Sequence, residues 1–232
     1  MTKHNDWCFA WLVNEKNPMG ASRAVLLNKN RWQKGDVISV SFLDDDYGLR
    51  DKVKEIAVTW TDEGEKGMAN LYFNFIKDTN ETPIRISFRQ RGKWSAVGTS
   101  CKNKPAGEPT MNFGNLTANS TPEQIRRAVL HEFGHALGLE HEHANPEGGI
   151  KWNKEAVYRE LTPPQGTWSV SDVDHNVFKV YDEAVANHTK FDRQSIMIYP
   201  IPENWTEGGY SVDWNTRLSD LDREFIRKVY PV

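Results

Sequence analysis

The sequence predicts an α+β fold, and three observations predict it. Segments with a two-residue apolar period alternate with a helical segment between residues 37 and 114, a well-capped helix starts at residue 122, and the turn-rich remainder ends in an amphipathic helix. In order, VISVSFL (37 to 43) puts Ile38, Val40 and Phe42 on one face of a strand. Leu49, Val53, Ile56, Ala57 and Trp60 then recur at helical spacing, and the preceding acidic run Asp44, Asp45, Asp46 suits the positive end of a helix dipole. NLYFNFI (70 to 76) and IRISFR (84 to 89) return to the two-residue period, with Ile84, Ile86 and Phe88 opposed to Arg85, Ser87 and Arg89. WSAVGT (94 to 99) and TMNFG (110 to 114) are weaker strands on either side of a Gly/Pro-rich loop.

Thr121, Pro122 and Gln124 spell a capping box with proline in the first turn, so a helix begins there. Beyond residue 141, ANPEGG, LTPPQG and YPIPENWTEGG are turn-rich, with short helices predicted at 153 to 160 and about 171 to 185. Ser219 can cap a last helix whose Leu221, Phe225 and Val229 share one face.

With 232 residues, 38% of them hydrophobic and 26% charged, the chain can bury a core as one compact domain. Its net charge of -3 and scattered basic residues call for neither nucleic acid nor an anionic membrane as partner. No run approaches the roughly 18 apolar residues of a membrane span, and the first thirty residues lack a signal-peptide pattern. The chain is expected to be soluble, and it is compatible with secretion because a mature form has lost its leader. Cys8 and Cys101 suit one long-range disulfide or two inert thiols.

Four of the seven histidines lie in HEFGHALGLEHEH, residues 131 to 143. Positions four apart on a helix differ by roughly 40° around its axis, so His131 and His135 project together and can share one ion. Glu132 is offset from them and falls beside any water that the ion holds. Gly138 can take the left-handed conformation that stops the helix, which lets His141 return to the same ion. Three imidazoles with one open position describe a catalytic zinc; a structural zinc is closed by four protein ligands. Zn2+ is therefore the expected cofactor, with His131, His135 and His141 as ligands and Glu132 as general base and acid for hydrolysis of a peptide bond.

The extended motif H-E-x-x-H-x-x-G-x-x-H resembles that of the metzincin zinc metallopeptidases, and SIMIYP (195 to 200) is similar to their Met-turn. S-x-M-x-Y is similar to the astacin and serralysin branches, and the HEH at 141 to 143 resembles that of the astacins. The resemblance implies a twisted, mostly parallel five-stranded sheet with an antiparallel edge strand, an active-site helix, and an irregular lower lobe holding the Met-turn and the C-terminal helix. It implies that Met197 underlies the ligands and that Tyr199 ligates zinc or swings away to stabilise the oxyanion. It also implies a domain over 31–232, with an upper lobe to about 138 and a lower lobe over 139–232, behind an N-terminal extension of thirty residues. Trp94, Ser95, Ala96, Val97, Gly98 and Thr99 would form the edge strand that aligns an extended substrate through its open backbone groups. Glu142 holds the place of the glutamate that pairs with a buried N-terminus in astacins, whose two disulfides cannot form from two cysteines.

Cys8 lacks the PRCG context of a thiolate that blocks the zinc in matrixins, so a buried thiol or a bond to Cys101 is expected. His143 is expected to face outward, and His175 and His188 to lie at the surface. The nine tryptophans are spread along the chain and suit packing. The reading is a secreted, monomeric zinc endopeptidase acting on protein or peptide substrates. Its rival is a non-catalytic zinc-bearing interaction module, against which Glu132 and Tyr199 speak because neither is needed to hold zinc.

Overall fold

The computed structural model describes residues 8–11, 30–44, 47–61, 68–77, 79–180 and 190–232. Its strands are β1 (Cys8–Trp11), β2 (Val37–Phe42), β3 (Tyr72–Phe75), β4 (Ile84–Ser87), β5 (Lys93–Ala96) and β6 (Met111–Phe113). They form one sheet in the order β1-β5-β6-β4-β2-β3. β3, β2, β4 and β6 are mutually parallel, and β5 runs antiparallel to β6. These five strands are the mixed sheet of the expected metzincin-like α+β fold.

The sixth strand corrects one expectation. β1 lies parallel to β5, with Cys8 opposite Lys93 and Trp11 opposite Ala96. β5 is thus flanked on both sides and presents no open edge. It also ends at Ala96, and Gly98–Asn103 form a 3-10 segment, so Gly98 and Thr99 leave the strand that the sequence assigns them.

Ile38 and Val40 of β2 are fully buried, as their alternation requires. β4 departs from simple alternation, because both of its faces are covered. Arg85 is 3% exposed, and its guanidinium donates to the carbonyls of Thr82 (2.6 Å), Lys104 (3.2 Å), Pro105 (2.9 Å) and Glu108 (2.6 Å). A loop of backbone acceptors satisfies that buried charge where solvent would otherwise be needed.

Helix α1 (Tyr47–Ala57), continued by a 3-10 turn at Val58–Trp60, packs along α2 and buries Leu49, Val53, Ala57 and Trp60 in the larger core. Its first turn holds no acidic residue. Asp44 instead accepts from Ser87 Oγ at 2.5 Å and from Phe88 N at 2.8 Å, and it pairs with Arg89 Nε at 3.0 Å. It therefore ties the ends of β2 and β4 together, and does not cap α1. Asp45 and Asp46 lie outside the described residues.

Helix α2 (Pro122–Ala136) starts at the predicted capping box: Gln124 N donates to Thr121 Oγ1 and Thr121 N to Gln124 Oε1. Helices α3 (Lys154–Leu161) and α4 (Val170–Val173) follow. The second predicted helix, 171 to 185, is cut short: α4 passes into a π-helical turn at Asp174–Phe178 and the chain extends at Lys179. The end of that predicted helix, from residue 181, falls outside the described residues, as does His188. Helix α5 (Asp220–Val229) is capped by Ser219 and buries Phe225, Ile226 and Val229. No described helix is long and apolar enough to cross a membrane.

Two apolar cores result. The larger joins the sheet to α1, α2 and α5; the smaller gathers Val157, Leu161, Trp168, Val173, Ile201 and Trp205 around α3 and α4. Their seam runs through residues 195 to 200, since Met197 belongs to the larger core and Ile198 and Tyr199 to the smaller. Tryptophans 32, 60, 94, 168 and 205 are buried, which fits their expected packing role.

Candidate metal centre

The last two turns of α2 carry His131 and His135, and each end of this stretch is fixed by a long-range bond. Trp60 Nε1 donates to the Leu130 carbonyl at 2.9 Å. At the terminus the orphan carbonyls of Ala136 and Leu137 accept from Trp32 Nε1 (2.8 Å) and Tyr230 Oη (2.7 Å). Gly138 adopts φ +102, Leu139 N reaches back to Gly134 O (2.9 Å) and Gly138 N to His135 O (2.8 Å). This is the glycine-dependent helix stop that the spacing predicts. It turns the chain so that His141 returns beside the helix.

His131, His135 and His141 each offer a ligand nitrogen, and these nitrogens lie within 4.8 Å of one another. Nδ1 of His131 stands 2.8 Å from the Ile196 carbonyl and Nδ1 of His135 stands 2.8 Å from the Leu139 carbonyl. A carbonyl only accepts, so both protons sit on Nδ1 and each Nε2 keeps its lone pair. Nε2 of His135 and Nε2 of His141 are 3.1 Å apart. Two nitrogens on a tetrahedral zinc would stand about 3.3 Å apart. All three rings are buried, and desolvation is the first cause that pushes their pKa values down: well below the ordinary value for His131 and His141, and to about 4 for His135. The neighbouring imidazoles and Arg127 add to the effect on His131 and His141. Neutral imidazole is the form that binds a metal, so the donor set fits a nitrogen-preferring divalent ion.

Met197 packs beneath α2 at Gly134, where an added Cβ would stand 2.4 Å from its Sδ; the helix has glycine there because the thioether fills the space. Tyr199 is wholly buried, with its ring 4.3 Å from that of His141 and 5.8 Å from that of His131, centroid to centroid. Glu132 is 1% exposed and lines a small cleft with His131, Tyr199, Lys93, Arg127 and Trp214.

Three polar pins, from Asp222, Arg127 and Glu142, hold this half together. Asp222 of α5 accepts from Ser195 Oγ (2.6 Å), Ile196 N (2.8 Å) and Ser219 N (2.9 Å), so the helix cap doubles as the clamp on the turn at Ser195 and Ile196. Arg127, one turn before His131, donates to the carbonyls of Asn215 (2.8 Å) and Ile198 (2.7 Å). Glu142 Oε1 accepts from Asn145 Nδ2 and Asp192 N, both at 2.9 Å, and burial raises its pKa to about 8. The one available signal is that Asp222 is a charged residue on the otherwise apolar face of α5.

His143 contradicts its expectation. It is 3% exposed, not outward-facing, because the smaller core closes over it and the Asn176 carbonyl accepts from its Nε2 at 2.8 Å. His175 is exposed, as expected. Cys101 is a free, buried thiol, which burial pushes up to about 12. The side chain of Cys8 lies outside the described residues, and with it the question of a thiolate at the metal centre.

One solved structure of myroilysin is 37% identical to the chain with a TM-score of 0.83, covering 90% of this chain and 99% of its own. A second is 33% identical with a TM-score of 0.72, covering 99% of this chain and 93% of its own. No protein-family model and no curated protein matches the chain.

Proposed function

The chain belongs to the family of myroilysin, a metallopeptidase, and from that premise we propose that it is a zinc-dependent endopeptidase of the astacin-like metzincin type. The observation that carries the proposal is the buried convergence of three neutral imidazoles, with His135 and His141 3.1 Å apart at Nε2. A zinc ion bound there would supply Lewis acidity to a water and to the scissile carbonyl.

The chain's own residues do the rest. Glu132 lines the cleft with its carboxylate, and it takes the proton of the water whose oxygen attacks the carbonyl carbon. When the C–N bond breaks, the same carboxylate delivers that proton to the departing amine. Tyr199 donates its phenolic hydrogen to the carbonyl oxygen as negative charge gathers on it. His131 and His135 are held in one tautomer by backbone carbonyls, so no reorganisation is needed when charge develops.

The test is hydrolysis of casein or gelatin by the purified protein, with zinc content measured in parallel. Cleavage should stop on chelation, and Glu132→Gln should lower kcat by at least about 100-fold with zinc still bound. A folded, zinc-loaded chain that cleaves nothing would instead be a binding module.

A further inference from the structure

The segment His141–Glu142–His143 places two imidazoles side by side, but the donor triad takes only the first of them. The rings of His141 and His143 are nearly parallel, 5.2 Å apart at 24°. The His143 ring also stacks on Tyr199, 5.0 Å away at 29°. On its far side Trp152 meets it edge-on at 6.2 Å, and Trp152 in turn packs on Phe178 at 5.9 Å. His143 thus sits between the oxyanion tyrosine and the aromatic wall of the smaller core.

Its orientation is set from outside the metal centre. The bond from His143 Nε2 ends on the Asn176 carbonyl, in the π-helical turn that follows α4. A π turn breaks the regular i to i−4 ladder and frees carbonyls for other donors. Asn176 is itself anchored, its Nδ2 donating to Asp172 O at 2.8 Å. A buried histidine used only as filler would need no such tether, and an aliphatic side chain would fill the volume without a polar group to satisfy.

We propose that His143 is a positioning residue: tethered to Asn176, it fixes the plane of the Tyr199 ring and so the place of the phenolic oxygen over the metal centre. The proposal rests on Tyr199 serving the reaction as described above. A phenol displaced by about 1 Å stabilises the oxyanion poorly while substrate binding is hardly touched.

The experiment is a double-mutant cycle, with crystal structures of the zinc-loaded single variants. His143→Ala should lower kcat about tenfold with KM and zinc stoichiometry unchanged, and His143→Phe, which keeps the flat ring but loses the tether, about threefold. In a Tyr199→Phe background His143→Ala should change kcat less than about twofold, because both act through one hydroxyl. The crystal structure of His143→Ala should show the Tyr199 ring rotated or its oxygen moved by about 1 Å or more. An unmoved Tyr199, or equal losses in both backgrounds, would overturn the proposal. The structural readout needs no turnover, so a failure of the peptidase reading is told apart: no variant, nor the parent, would then cleave substrate while Tyr199 still moved.

Discussion

His131 and His135 stand on a capped helix packed into the larger core, whereas His141, His143 and Tyr199 stand on irregular chain at the seam of the two cores. The helical pair is placed by repetition: one apolar face, buried along its length, fixes the rotation of every side chain on the helix. The irregular set has no such repetition and is placed by single polar contacts from Asp222, Arg127, Glu142 and Asn176. One side of the same centre is thus insured by many weak contacts, and the other depends on a few strong ones. Single substitutions should therefore injure the second side more.

Asp222→Ala is the largest expected effect on stability. It leaves Ser195 Oγ and two backbone N–H groups without their carboxylate and should cost about 2–4 kcal/mol, read from denaturant midpoints, with a loss of metal affinity. If Asp222→Ala cost no more than a surface substitution, the contrast between the two sides would break. Gly134→Ala probes their contact. The new methyl would meet Met197 Sδ at 2.4 Å and Trp60 at 3.2 Å, and the overpacking should cost about 1–3 kcal/mol. A neutral result would mean that Met197 moves freely beneath the helix. Tyr230→Phe removes one bond to the last turn of α2 and should cost about 1 kcal/mol with kcat unchanged, since the apolar face still holds the helix. A large fall in kcat there would show that the helical side hangs on single contacts too.

The difference between the sides is also the difference between what was legible and what was not. Ile38 and Val40, the Thr121 and Ser219 caps, and the faces of α1 and α5 were readable because alternation, helical period and capping are rules about neighbours in the chain. The triad was readable because i, i+4 spacing and a glycine stop are equally local. Asp44 reads locally as a helix-dipole partner, but its actual partners, Ser87 and Phe88, are far away in sequence and no local rule points to them. Arg85 shows the same limit: alternation marks its face as polar but does not say that a loop will cover it with carbonyls.

The sequence by itself determined the strand and helix segments, the three converging imidazoles, and the carboxylate beside them, since each follows from the geometry of a few consecutive residues. Only the tertiary structure decided that β1 lies along β5, that His143 turns inward beside Tyr199, and that one aspartate on the last helix clamps the turn at Ser195 and Ile196. Those arrangements join segments whose separation in the chain has no period. They are chosen by which buried polar groups find partners once the two cores close, and that outcome is a property of the whole packing.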